Sequence, residues 1–95
     1  MTEQEARMET LRRRFHVRAS DDRAGIADAL RQGDRGRLLV LAHGLAGIAG
    51  IFGQGDVGNR AAALENAVEQ GADEAMVQTL GDALVAALDG VAPAG

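Results

Sequence analysis

The chain reads as an all-α protein, an antiparallel up-down four-helix bundle with an additional N-terminal helix. Three observations predict this. Apolar residues recur at three- and four-residue spacing, and no segment alternates with a period of two. Capping and turn residues cut the periodic stretches at Ser20, Gly33-Asp34, Gly53-Gln54-Gly55-Asp56 and Gly71-Ala72-Asp73. The connections so marked are short, which forces successive helices to run antiparallel.

Met8, Leu11 and Phe15 mark a first helix over residues 2–18, within an N-terminal segment 1–19. Ser20, followed by Asp21 and Asp22, has the form of a helix start, so a second helix is expected to run to Arg31 with Ile26, Ala27 and Leu30 inward. A kink at Ala19-Ser20 within one longer helix is the alternative. Gly33 suits a left-handed C-terminal residue and Asp34 a cap for the third helix, which spans 38–52 and ends at Gly53-Gln54-Gly55. Asp56 caps a fourth helix, with Val57, Ala61, Leu64 and Val68 inward, and Gly71 closes it. Asp73 caps a fifth, with Val77, Leu80, Ala83, Leu84, Ala87 and Leu88 inward. The bundle thus occupies 20–90 of a single domain, 1–95, and the tail 91–95, with Pro93, is expected to fray.

Ninety-five residues leave room for one core. Cysteine is absent, which excludes disulfides and thiolate metal sites, and no metal cluster is expected. The polar start Met1-Thr2-Glu3-Gln4-Glu5 lacks the apolar centre of a secretion signal. The longest apolar stretch, 38–52, is too short for a membrane span and carries His43 with Gly44, Gly47 and Gly50. A cytoplasmic setting without a membrane partner is expected. With nineteen alanines and only Phe15 and Phe52 as aromatics, the core requires closely approaching helices. Residues 1–37 carry a net charge of +2 and residues 38–95 a net charge of −6, with no lysine anywhere. An acidic chain without a basic stripe interleaved with aromatics disfavours nucleic-acid binding. The Arg12-Arg13-Arg14 run reads as a solvated helix face.

At about 100° per residue, Leu38, Leu41, Ala42, Leu45, Ala49 and Phe52 fall on one apolar stripe. His43 falls on the opposite face, among Gly36, Val40, Gly47 and Gly50. His43 is therefore expected to be exposed, and Leu45 and Phe52 buried. Glycine inside a helix costs about 1 kcal/mol relative to alanine, so Gly44, Gly47 and Gly50 ask for a reason. Gly44 flanks the stripe and serves either packing or access. Gly47 lies opposite it and leaves the imidazole open to a large partner. An imidazole is a nucleophile of near-neutral pKa, suited to carrying a transferable group. His16, between Phe15 and Val17, lacks this setting.

Two motifs near His43 do not survive their context. Gly53-Gln54-Gly55-Asp56-Val57-Gly58 has dinucleotide-fingerprint spacing, but it follows a helix and no strand pattern exists to form the βαβ unit it needs. Leu38 to Gly44 has the form of an α/β-hydrolase strand and His-Gly turn, but the only serine, Ser20, is not in a nucleophile elbow. A third pattern is coherent. Ala42-His43, Leu45, Ala46-Gly47, Ile48-Ala49-Gly50 and Gly53, followed by Leu64-Glu65 in the next helix and preceded by Gly33-Asp34, resemble the histidine-phosphotransfer domains of bacterial phosphorelays. The resemblance runs from Phe15 to Leu88.

The resemblance implies a phosphorelay intermediate. His43 would accept a phosphoryl group, through Nε2, from a receiver-domain aspartate and pass it to another receiver domain. It implies a carrier and not an independent enzyme, with response-regulator receiver domains and a hybrid histidine kinase as partners, Mg²⁺ held by the receiver, no cofactor of its own and a monomeric state. The docking surface would comprise Leu39, Val40, Ala46, Gly47 and Gly50. The family usually has lysine three residues after the histidine, where this chain has Ala46. Antiparallel folding about Gly33 brings Arg23 level with His43, and folding about Gln54-Gly55 brings Glu65 and Asn66 level with it, with Arg60 about 9 Å further along. These four are the candidates for charge or hydrogen-bond support. A second reading, from another class, is a helical module that binds a receiver or kinase without phosphoryl transfer. A third is a small helical oligomer without a signalling role.

Overall fold

The computed structural model describes residues 2–91, all of whose regular structure is helical: α1 (Glu3–Gln32), α2 (Arg35–Ala49), α3 (Gly55–Glu69) and α4 (Glu74–Asp89). Among the described residues there are four helices, not five. The two helices expected before Gly33 are one, and Ser20 lies on its exposed surface as an interior residue. Nothing between Glu3 and Gln32 breaks a helix: proline is absent, and Gly25 is buried. Arg18 Nε reaches Asp22 Oδ2 at 3.3 Å across Ser20, an i,i+4 pair that a continuous helix provides. The helix start falls instead at Thr2, whose hydroxyl accepts the Glu5 amide at 3.1 Å.

The turn at Gly33 forms as expected. Its φ of 64° is left-handed, and the next amide, Asp34, donates back to the Ala29 carbonyl at 2.9 Å. The Asp34 carboxylate then accepts the Arg37 amide at 3.1 Å and starts α2 three residues before Leu38. The helix also ends early, at Ala49. Gly50 to Gly53 form a turn, closed by the Gln54 amide donating to the Ala49 carbonyl at 2.8 Å. Phe52, expected to be buried at the end of that helix, leaves it. It is half-buried and stacks on Phe15 with ring centroids 5.0 Å apart. Asp56 is not a cap: α3 begins at Gly55, and Asp56 lies in its first turn. Asp73 does cap α4, accepting the Met76 amide at 2.8 Å. Gly71 turns the chain out of α3. The fraying expected over 91–95 lies, beyond Val91, outside the described residues.

The helices pack in a closed cycle, α1 on α2, α2 on α3, α3 on α4 and α4 on α1. Residue pairs fix the directions. Gly25 meets Leu41 and Gly44 meets Arg18 between α1 and α2; His43 meets Glu65 and Ala49 meets Gly58 between α2 and α3; Arg23 meets Asp89 and Leu30 meets Gly81 between α1 and α4. In each pair one number rises as the other falls, so these neighbours are antiparallel. The core is Phe15, Ala19, Ile26 and Ala29 of α1, Leu38, Ala42, Leu45 and Ala49 of α2, Val57, Ala61 and Leu64 of α3, and Val77, Leu84 and Leu88 of α4. Val68, Leu80 and Ala87 pack at its edge. Small residues on facing helices let the backbones approach, as the composition requires. Met8, one of the residues that mark the first helix, is exposed. Thirty residues at 1.5 Å each make α1 about twice as long as its neighbours, so its first turns extend past the bundle.

Candidate functional site

His43 stands in the middle of α2 on the face turned away from the core. Its side chain is 77% exposed, while Leu45, two residues on, is completely buried. The angular placement read from the sequence is therefore correct. Its Nδ1 lies 2.5 Å from Oε2 of Glu65 on α3. A carboxylate only accepts, so Nδ1 carries the ring proton and donates to Glu65. In the neutral ring the lone pair is then on Nε2, at the outer edge of the ring. Glu65 is only 20% exposed, and a carboxylate fixed in place by packing holds the imidazole in one tautomer and one orientation.

The surface around the ring is bare. A side chain begun at Gly47 or Gly50 would meet nothing within 4 Å. Val40, one turn before His43, is 71% exposed. Leu39 and Ala46 are half-buried, and Ala46 packs against the core, so these two residues give the face its edge and not its floor. Gly50 follows the last residue of α2, so of the three glycines only Gly44 and Gly47 carry the cost of a helix interior.

Of the four support candidates, only Glu65 reaches the histidine. Arg23 pairs with Asp89 on α4, Nη2 lying 3.4 Å from Oδ2. Arg60 pairs with Asp56 of its own helix at 3.0 Å. Asn66 accepts from the Gln70 amide at 3.1 Å. The error over Arg23 is one of angle. Folding about Gly33 gives height along the bundle, but Arg23 points to the α4 side of α1. Arg18, five residues earlier, lies about 140° round the helix, on the α2 side. Its Nη2 stands 2.9 Å from the point where a Cβ at Gly44 would be. Arg18 was missed by the sequence reasoning; the signal available was its position beside the α1 apolar stripe Phe15-Ala19-Ile26-Ala29. Among the described residues, no three His, Asp or Glu side chains gather as a metal site.

A family model described as Hpt domain matches residues 7–93. No curated protein and no solved structure shows a significant match to the chain.

Proposed function

The chain belongs to the Hpt domain family, whose members carry phosphoryl groups in phosphorelays and interact with response-regulator receiver domains, and from that membership we propose that His43 is the phosphoacceptor. The observation that carries the proposal is the exposed imidazole fixed at Nδ1 by Glu65 on a face that Gly47 leaves bare. In the step proposed, the Nε2 lone pair attacks the phosphorus of a receiver aspartyl phosphate in line. The N–P bond forms, the P–O bond to the aspartyl carbonyl breaks, and the aspartate carboxylate leaves with the electron pair. The ring keeps its Nδ1 proton and becomes cationic. Glu65 then holds a charge-assisted hydrogen bond, which is stronger than the one it makes to the neutral ring. Transfer onward is the reverse reaction on a second receiver. Mg²⁺ on the receiver would balance charge on its side of the complex.

No helix among the described residues is long and apolar enough to cross a membrane, and a bacterial, cytoplasmic relay is part of the proposal. Incubation with a phosphorylated receiver is the test. The parent protein should take up acid-labile phosphate, and His43→Gln should take up none while keeping its melting temperature, since an exposed side chain contributes within about 0.5 kcal/mol. Label persisting on His16 in His43→Gln would refute the assignment. A parent that binds the receiver but takes no label would be a non-transferring module.

A further inference from the structure

Resting on the phosphoacceptor role of His43, we infer that Arg18 is the cation that binds the carried phosphoryl group. The Arg18 guanidinium lies over Gly44, the residue next to His43, with Nη2 2.9 Å from the position of a Cβ there. Adjacent Cβ positions on a helix are roughly 5 Å apart, which puts Nη2 within about 8 Å of the His43 Cβ. An imidazole and the phosphoryl group on its Nε2 are together long enough to cover most of that distance, and the guanidinium is on a flexible stem that can swing to meet them.

The surrounding charges single out Arg18. Glu65 is behind the ring at Nδ1, away from the phosphoryl group. Arg23 and Arg37 are held by Asp89 and Asp28 of other helices, and Arg60, paired through Nε with Asp56 as Arg18 is with Asp22, lies about 140° round α3 from Glu65. Arg18 is half exposed and uses Nε, at 3.3 Å, for Asp22. Nη2 lies over Gly44 on α2, and a guanidinium matches the planar, two-pronged recognition that phosphate oxygens accept. Gly44 acquires a reason as well. A side chain there would displace the guanidinium, because 2.9 Å is closer than a real Cβ contact.

The decisive measurement is the equilibrium constant for transfer between a phosphorylated receiver and this protein, at concentrations where the complex does not accumulate. That constant depends only on the phosphorylated and free forms of the separate proteins, so contacts confined to the complex cancel. Arg18→Ala should move it toward the receiver about five-fold at low ionic strength, and by much less at about 1 M salt. Arg18→Lys should restore most of the shift, and Gly44→Ala should cause part of it. A partner-free arm labels His43 chemically with phosphoramidate and follows the phosphorus-31 resonance with pH. The phosphoryl group should lose its last proton at lower pH in the parent than in Arg18→Ala. An unchanged equilibrium and an unchanged titration in Arg18→Ala would overturn the inference. So would slower approach to an unchanged equilibrium, which would make Arg18 a docking residue only. A parent that accepts phosphoramidate label at His43 but none from any receiver would refute the relay role instead, and the titration would still decide on Arg18.

Discussion

Two groups of glycines lie along these helices, and an added Cβ would meet opposite surroundings in each. At Gly81 it would stand 2.6 Å from Leu30 Cδ2, at Gly25 3.0 Å from Leu41 Cδ1, and at Gly58 3.3 Å from Ala49 Cβ. At Gly47 it would meet nothing within 4 Å. Each interior glycine gives up about 1 kcal/mol of helix propensity relative to alanine. The first group regains it by letting helices approach in a core short of large side chains. Gly47 regains nothing from the fold. Its absence of a side chain is useful only to something outside the molecule, and it lies one turn from His43. The same residue type therefore marks helix crossings in one region and the proposed reaction surface in the other, and only the neighbours tell them apart.

The largest expected effect is on transfer. Gly47→Leu should slow phosphoryl transfer from a receiver at least ten-fold, measured as the time course of labelling, because a branched side chain then stands where the partner must approach. Its melting temperature should hold or rise. Transfer at the parental rate would break the comparison at its functional end. The next effect is on stability. Gly81→Ala forces Leu30 aside; overpacking of about 1–3 kcal/mol set against about 1 kcal/mol of propensity leaves a net loss of about 1 kcal/mol. Thermal denaturation should show a fall of roughly 4–8 °C, with the transfer equilibrium unchanged. Combined with Leu30→Ala, the loss should be smaller than the sum of the single losses, since the two side chains contend for one space. Gly47→Ala sharpens the contrast: a methyl group in open space should stabilise by up to about 1 kcal/mol and leave the transfer rate within about two-fold.

Most of the fold was legible because helix ends and apolar stripes are local. Asp34, Asp73, Gly33 and Gly71 act as their types predict, and the exposed His43 and buried Leu45 follow from angle alone. Ser20 misled because a serine followed by two aspartates also fits the outer face of a continuous helix, and the pairing of Asp22 with Arg18 decides between the two. Phe52 misled because α2 unwinds at Gly50, after which its ring is placed by Phe15 and not by helical phase. In the site, Glu65 was found because His43 and Glu65 share both height and facing sides of α2 and α3. Arg18 was missed because height was used without angle, and the rotation of α1 about its own axis is fixed only by packing on α2 and α4.

The smallest expected effect separates two arginines that each lie over a glycine, Arg37 over Gly25 in the packed group and Arg18 over Gly44 beside His43. Arg37 passes 3.5 Å from a Cβ at the packed Gly25 and donates to Asp28 Oδ2 at 2.7 Å. That hydrogen bond, helped by Arg31, holds the Asp28 carboxyl below its usual range against an opposing effect of burial. Arg18 lies over Gly44 and pairs with Asp22, whose carboxyl is pushed up by burial more than Arg18 can lower it. The two aspartates should therefore respond to pH with opposite sign. Asp28 has a folded-state pKa below the unfolded 3.8, so its stabilisation is complete above pH 3.8 and disappears as pH falls through the folded value. Asp28→Asn should lower Tm slightly at neutral pH, as expected for an exposed pair, and make no difference in strong acid. Asp22 is penalised when charged, and the penalty is full once pH exceeds its raised folded-state value. Asp22→Asn should leave Tm equal or higher at neutral pH, and this difference too should vanish in strong acid. Melting curves of both variants from strongly acidic to neutral pH check the signs. A loss of Tm at neutral pH in Asp22→Asn as large as in Asp28→Asn would mean that the ion pair over Gly44 holds the fold as the one over Gly25 does, and that Arg18 is less free for phosphate than its exposure suggests.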